Sequence, residues 1–172
     1  TLFRSFTARN DDETKLNAIL ETFGAVFPST KLFSQFSREQ VAKTEAVDAV
    51  EDPDNALITW FVQEEHLFRL LERHLVAEKL RQGFGERGDD VDLFIKFSLG
   101  VQNRRKSRAG HAFENHITEV LSLNKVNFEN NVHTEGKQKP DYLFPSKEAY
   151  DNKGFDVKKL RVLGAKTSCK DR

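Results

Sequence analysis

The chain has no methionine and only one cysteine among its 172 residues. A single thiol, Cys169, excludes a disulfide framework and suits a reducing compartment, so a cytoplasmic location is expected. With no Met, and with Thr1 first, the sequence reads as a piece of a longer or processed product. Long apolar runs are missing too. Nothing approaches the length that spans a bilayer, and there is no signal-peptide pattern, so no membrane association is expected. Internal repeats and low-complexity tracts are also absent.

Net charge is absent as well, with 27 Lys and Arg against 27 Asp and Glu, but its distribution is uneven. Residues 101–172 hold 15 cationic and 9 acidic side chains, whereas residues 1–100 hold 12 and 18. A basic second half suits a surface that faces phosphate, although a basic stretch can also be merely solvated.

Periodicity divides the chain into a helical part, residues 1–100, and an α/β part, residues 101–172. Residues 1–10 carry no clear element, although Leu2, Phe3 and Phe6 are expected to dock on something. From Asp11, apolar residues at Leu16, Ile19, Leu20 and Phe23 predict a helix ending at Gly24. Ser37 is placed to cap a second helix running to about Val50. Residues 56–81 form the strongest helical pattern, with Leu57, Phe61, Phe68, Leu71 and Leu75 on one face. Glu64, Arg69, Glu72, Arg73 and Lys79 fall mostly opposite, and His66 and His74 read as surface residues. A fourth helix over about residues 90–100 is expected to bury Val91, Phe94, Ile95 and Leu99. Residues 102–110 read as a polar loop. A helix over 111–123 then presents Phe113, Ile117, Val120 and Leu121 to the core. Beyond Asn124 the period shifts towards two at Val126, Phe128, Val132 and Thr134. A turn over 135–138, a strand over 142–144, a long loop over 145–155 and a strand over 160–167 complete the pattern. The fold class is α/β: a helical N-terminal part precedes a mixed sheet flanked by helices.

Two stretches of the second half carry chemistry. Pro140-Asp141 opens an apolar strand, and 25 residues later a second apolar run delivers Lys166, with Lys170 four residues beyond. Metal-dependent phosphodiester cleavage needs a hard cation on carboxylate oxygens, an activated water and positive charge for the transition state. An aspartate heading one strand and a lysine on its neighbour meet those needs. On spacing alone, Asp141 serves equally well as a turn aspartate after Pro140, and Lys166 as a lysine reaching solvent. Upstream, Arg104, Arg105, Lys106 and Arg108 put four cations in five residues around Ser107. Such cations contact phosphates, and Arg or Lys can also read guanine in the major groove.

Lys139-Pro-Asp-Tyr-Leu-Phe-Pro-Ser146, Tyr150, Ala165-Lys-Thr-Ser-Cys-Lys-Asp-Arg172 and Asn103-Arg-Arg-Lys-Ser-Arg-Ala-Gly110 together resemble the catalytic domain of EcoRII-type restriction endonucleases. Those belong to the PD-(D/E)xK nuclease superfamily. The resemblance spans roughly residues 30–172. It implies a restriction-endonuclease-like core, incomplete at Arg172, that hydrolyses double-stranded DNA with Mg²⁺, leaves 5′-phosphate ends and acts as a homodimer on a CC-W-GG type of site (W being A or T). It also implies that Asp141 holds the metal and that Lys166, Lys170 and Tyr150 reach the site. Arg104, Arg105, Lys106, Ser107 and Arg108 would then contact DNA. Glu114, on the helix before the site strand, is a candidate to complete the metal shell, and an ordinary boundary carboxylate is the alternative. One departure from the superfamily pattern is plain: Gly164 stands where an acid is expected two residues before the lysine. In the EcoRII-type branch the second acid lies on a helix shortly after the lysines, so residues 1–172 alone are expected to be catalytically dead. Two rivals differ in class. One is a DNA-binding module that keeps the fold without the chemistry. The other is a helical interaction domain over 11–100 with an incidental basic tail.

Overall fold

The computed structural model describes residues 2–167, with side chains from Asn10 onwards. Four long helices come first: α1 (Leu2–Phe23), α2 (Thr30–Thr44), α3 (Pro53–Gln82) and α4 (Val91–Leu123). A small sheet follows, with strands β1 (Glu129–Asn130), β2 (Tyr142–Phe144) and β3 (Arg161–Leu163); the five-residue helix α5 (Lys147–Asp151) lies between β2 and β3.

Local chemistry sets the helix starts. Asp52 accepts the Asn55 amide, and Pro53 occupies the first turn of α3, where its missing N–H costs nothing. Asp90 caps α4 in the same way through the Leu93 amide at 2.9 Å. α2 starts eight residues earlier than its apolar pattern suggests, because Ser29, with extended backbone, takes the Leu32 amide. Ser37, expected as the cap, lies fully buried inside that helix. α1 likewise runs back to Leu2, through residues expected to lack structure.

The core lies where α1, α2 and α3 meet. Ile19, Phe33, Phe36, Leu67, Phe68 and Leu71 form one buried cluster. Val41, Ala49, Ala56 and Trp60 form a second, against which Val120 of α4 packs. In the sheet, β2 is central and pairs antiparallel with both neighbours, Tyr142 opposite Leu163 and Leu143 opposite Val162. Tyr142 and Leu143 are buried, as befits the middle strand.

Several expectations are corrected. The sheet is antiparallel among the described residues, not mixed, because each strand pairs with the next one along the chain. The alternation at Val126, Phe128, Val132 and Thr134 yields only two strand residues, and the long loop contains α5, capped by Ser146. Most consequentially, residues 102–110 are not a loop. The two helices expected on either side of them are one 33-residue helix, so the boundary drawn at residue 100 falls inside α4. That segment has no proline, and Gly110 alone does not break it. Its inward line of Val101, Arg108, Ala112 and His116 is buried, which holds it against its neighbours. The start of α4 buries little. Val91, Phe94, Ile95 and Leu99, expected in the core, are 44–65% exposed, and Phe84 packs against Phe94 and Phe97.

Candidate active site and the basic helix

Asp141 lies immediately before β2, where the β2–β3 register brings Gly164 and Ala165 alongside. Its Oδ2 accepts the Ala165 amide at 2.7 Å. That bond fixes the carboxylate beside the chain that carries Lys166 on the following residue. A side chain at Gly164 would have its Cβ 3.8 Å from the same oxygen, ordinary van der Waals contact, so the position expected for an acid does adjoin Asp141.

The other wall of the site is α4. Glu114 and Asp141 line one cleft of about 490 Å³, together with Lys31 of α2, His111 and Asn115 of α4, and Lys139. Tyr142 ties the walls together: its hydroxyl donates to the Glu114 carbonyl at 2.5 Å and accepts from Thr118 Oγ1 at 3.0 Å. Burial pushes the Tyr142 phenol up; the Thr118 hydrogen bond opposes that shift and the Glu114 and Asp141 charges add to it. Two acidic residues from separate elements therefore line one polar cleft. Among the described residues there is no group of three or more His, Cys, Asp or Glu side chains suited to a metal. A pair of carboxylates still fits Mg²⁺, which keeps most of its waters and is completed by phosphate oxygens.

The basic run lies one to three turns before Glu114 on the same helix. As helix its cations part company, because successive side chains point about 100° apart. Arg108 turns inward and is only 7% exposed. Its guanidinium lies 4.7 Å from the Phe33 ring centre and 4.8 Å from that of Phe68, donates to the Pro28 carbonyl at 3.0 Å, and stands 3.6 Å from Glu64. Arg105 bonds the buried Glu72 through Nε at 2.7 Å and Nη2 at 2.6 Å. Arg104 stacks 4.0 Å over Phe27. Lys106 and Ser107 face solvent. Desolvation draws the Arg108 pKa down, while the hydrogen bond to Glu72 raises that of Arg105.

Residues 68–172 match the family model described as EcoRII C terminal, which takes in Glu114, Asp141, Tyr150, Lys166 and the whole basic run. The chain belongs to the EcoRII C-terminal family. It is also 39% identical over 147 residues to the type II restriction enzyme EcoRII of Escherichia coli. That alignment takes in 85% of this chain and 34% of the relative, so the chain spans about a third of the length of the curated relative it matches.

Other expected residues of this family member lie apart. Tyr150 stands on α5 and lines a neighbouring cleft with Thr134, Lys139, Pro140 and Val162, not the cleft of Glu114 and Asp141. Desolvation and the Glu135 carboxylate push its phenol up, and Lys147 lies 5.6 Å from its ring centre. Lys166 is exposed just past β3. Lys170 and Cys169 lie outside the described residues.

The pattern in the sequence missed a buried polar relay between α2, α3 and α4. His116, fully buried, stands with Nε2 3.0 Å from Glu64 and Nδ1 3.3 Å from Arg38, which also pairs with Glu119 at 3.1 Å. Glu64 and Glu72, expected opposite the apolar face, are buried within it. Several of these contacts lie close without forming aligned hydrogen bonds, notably at both Glu64 oxygens and at Arg108 Nε. One signal was available. In the stripe 57, 61, 68, 71, 75, Glu64 fills the slot between Phe61 and Phe68, so α3 has to bury it.

Proposed function

We propose that this chain is the greater part of a Mg²⁺-dependent type II restriction endonuclease domain with a restriction-endonuclease-like, PD-(D/E)xK-type core. In this reading the full-length protein hydrolyses phosphodiesters of double-stranded DNA, leaves 5′-phosphate ends and works as a homodimer on a two-fold symmetric site of the CCWGG type. The observation that carries the reading is the pairing of Glu114 and Asp141 across one cleft, with Asp141 anchored to the strand that leads to Lys166.

Asp141 and Glu114 would hold the cation, which when bound supplies Lewis acidity at the scissile phosphate and acidifies its water. The Ala165 amide, bonded to Oδ2, orients the Asp141 carboxylate for that role. Lys166 follows that amide along the chain and would orient the attacking water and offset charge developing on the phosphoryl oxygens. Lys170 and Tyr150 are assigned supporting roles at the same phosphate. Of the basic helix, Lys106 and Ser107 are the residues free to touch the DNA backbone, with Arg104 and Arg105 able to reach it from their present partners. Arg108, buried against Glu64, would position that helix.

Plasmid cleavage and gel-shift assays on Asp141→Asn, Glu114→Gln and Lys166→Ala, each made in the full-length protein, test the proposal. Loss of cutting with retained binding is expected for Asp141→Asn and Lys166→Ala. Normal cutting by either would remove that residue from the site. A full-length wild-type protein that binds duplex DNA but never cuts it would favour the DNA-binding module instead.

A further inference from the structure

We propose that Lys31 and Lys139 bind DNA backbone phosphates flanking the scissile one, from the rim of the cleft that Asp141 and Glu114 also line. The proposal rests on the nuclease reading for its ligand, and it adds a residue, Lys31, that lies outside the strand motif and the basic run.

Charge accounting points to these two lysines. The arginines that look most suited to phosphate are largely compensated by protein acids: Arg108 by Glu64, Arg105 by Glu72, Arg38 by Glu119. Among the described residues, neither Lys31 nor Lys139 joins an ion pair, yet both line the cleft that holds the two carboxylates. Lys31 is in the first turn of α2 and exposed, and Lys139 is exposed just before Pro140. A substrate strand entering this cleft brings one negative charge per phosphate towards Glu114 and Asp141. Two lysines on the rim balance those two carboxylates, so the strand meets no net repulsion before any cation is bound. The lysines come from distant parts of the chain, 108 residues apart in sequence, and the packing of α2 beside α4 brings them to one cleft. An ammonium on a flexible stem suits a phosphate as a point charge and reads no base.

The test is duplex binding by fluorescence anisotropy over a salt series, with Ca²⁺ in place of Mg²⁺, on wild type, Lys31→Gln, Lys31→Arg and Lys139→Gln. Each Gln variant should weaken a CCWGG duplex and a scrambled duplex alike. Each should also flatten the slope of log affinity against log salt by about 0.9, the value of one phosphate contact. Lys31→Arg should keep the wild-type slope, which separates lost charge from disturbed folding. Unchanged affinity and slope in both Gln variants would overturn the proposal, while the nuclease reading would still stand if Asp141→Asn abolishes cleavage. Flattened slopes beside an Asp141→Asn variant that cuts normally would keep the lysines as phosphate ligands and sink the catalytic assignment.

Discussion

Tyr142, the residue after Asp141, gives its hydroxyl proton to the backbone carbonyl of Glu114 at 2.5 Å. One hydrogen bond thus ties together the chain segments that bear the two candidate metal ligands. β2 cannot slide along α4 without breaking it, so the separation of the two backbone segments that carry the carboxylates is held fixed.

Removing that hydroxyl with Tyr142→Phe should cost about 0.5–1.5 kcal/mol of stability near neutral pH. It should also change the alkaline limb. Because burial raises the Tyr142 pKa, the unfolded chain loses this proton first. The group's contribution is therefore complete below the ordinary tyrosine value of about 10 and is lost as pH rises through the folded value. Urea melts at pH 8 and above pH 10 should show a steeper loss for wild type than for Tyr142→Phe. Parallel losses would mean that the phenol is not what titrates.

The cations of α4 should sort by helical face. Arg108→Ala leaves Glu64 buried beside one fewer cation and should cost about 3–5 kcal/mol, read from chemical denaturation. Lys106→Ala should leave stability within about 0.5 kcal/mol and should instead weaken binding to all duplexes, with a salt slope shallower by about 0.9. Equal effects of the two variants on stability would contradict the inward placement of Arg108.

Continuity of α4 is open to a simple check at its glycines. A Cβ added at Gly100 or Gly110 meets nothing within 4 Å, and neither backbone needs a positive φ. Gly100→Ala and Gly110→Ala should each stabilise the protein by roughly 0.5–1 kcal/mol. A loss at Gly110 would indicate that the segment departs from helix in solution.

The apolar stripes of α1 and α3 were legible, as was β2 from Tyr142 to Phe144, because period and length there agree with burial. The adjacency of Asp141 and the strand leading to Lys166 was legible too, since the two are neighbours in a simple antiparallel pairing. What escaped were features decided by distant partners. Residues 102–110 look like a loop only while their charges are assumed to need water. Glu64 and Glu72 are over thirty residues away, and without them nothing local marks Arg108 as inward or Arg105 as paired. Lys31 carries no local mark at all, because only the packing of α2 beside α4 brings it to the cleft. The exposed start of α4 misled in the opposite direction: its apolar residues satisfy the pattern of a core helix, yet no other described element covers them.

α4 also imposes a rule on how this protein can vary. Arg108 faces α3 and Glu114 lines the cleft beside the sheet, and they stand six positions apart on one unbroken helix. At about 100° per residue, that spacing fixes their relative phase. Substitutions between them leave the phase intact, but one inserted or deleted residue would swing Glu114 out of the cleft while Arg108 stayed locked to Glu64. Between these two positions, side chains can change, but the number of residues cannot.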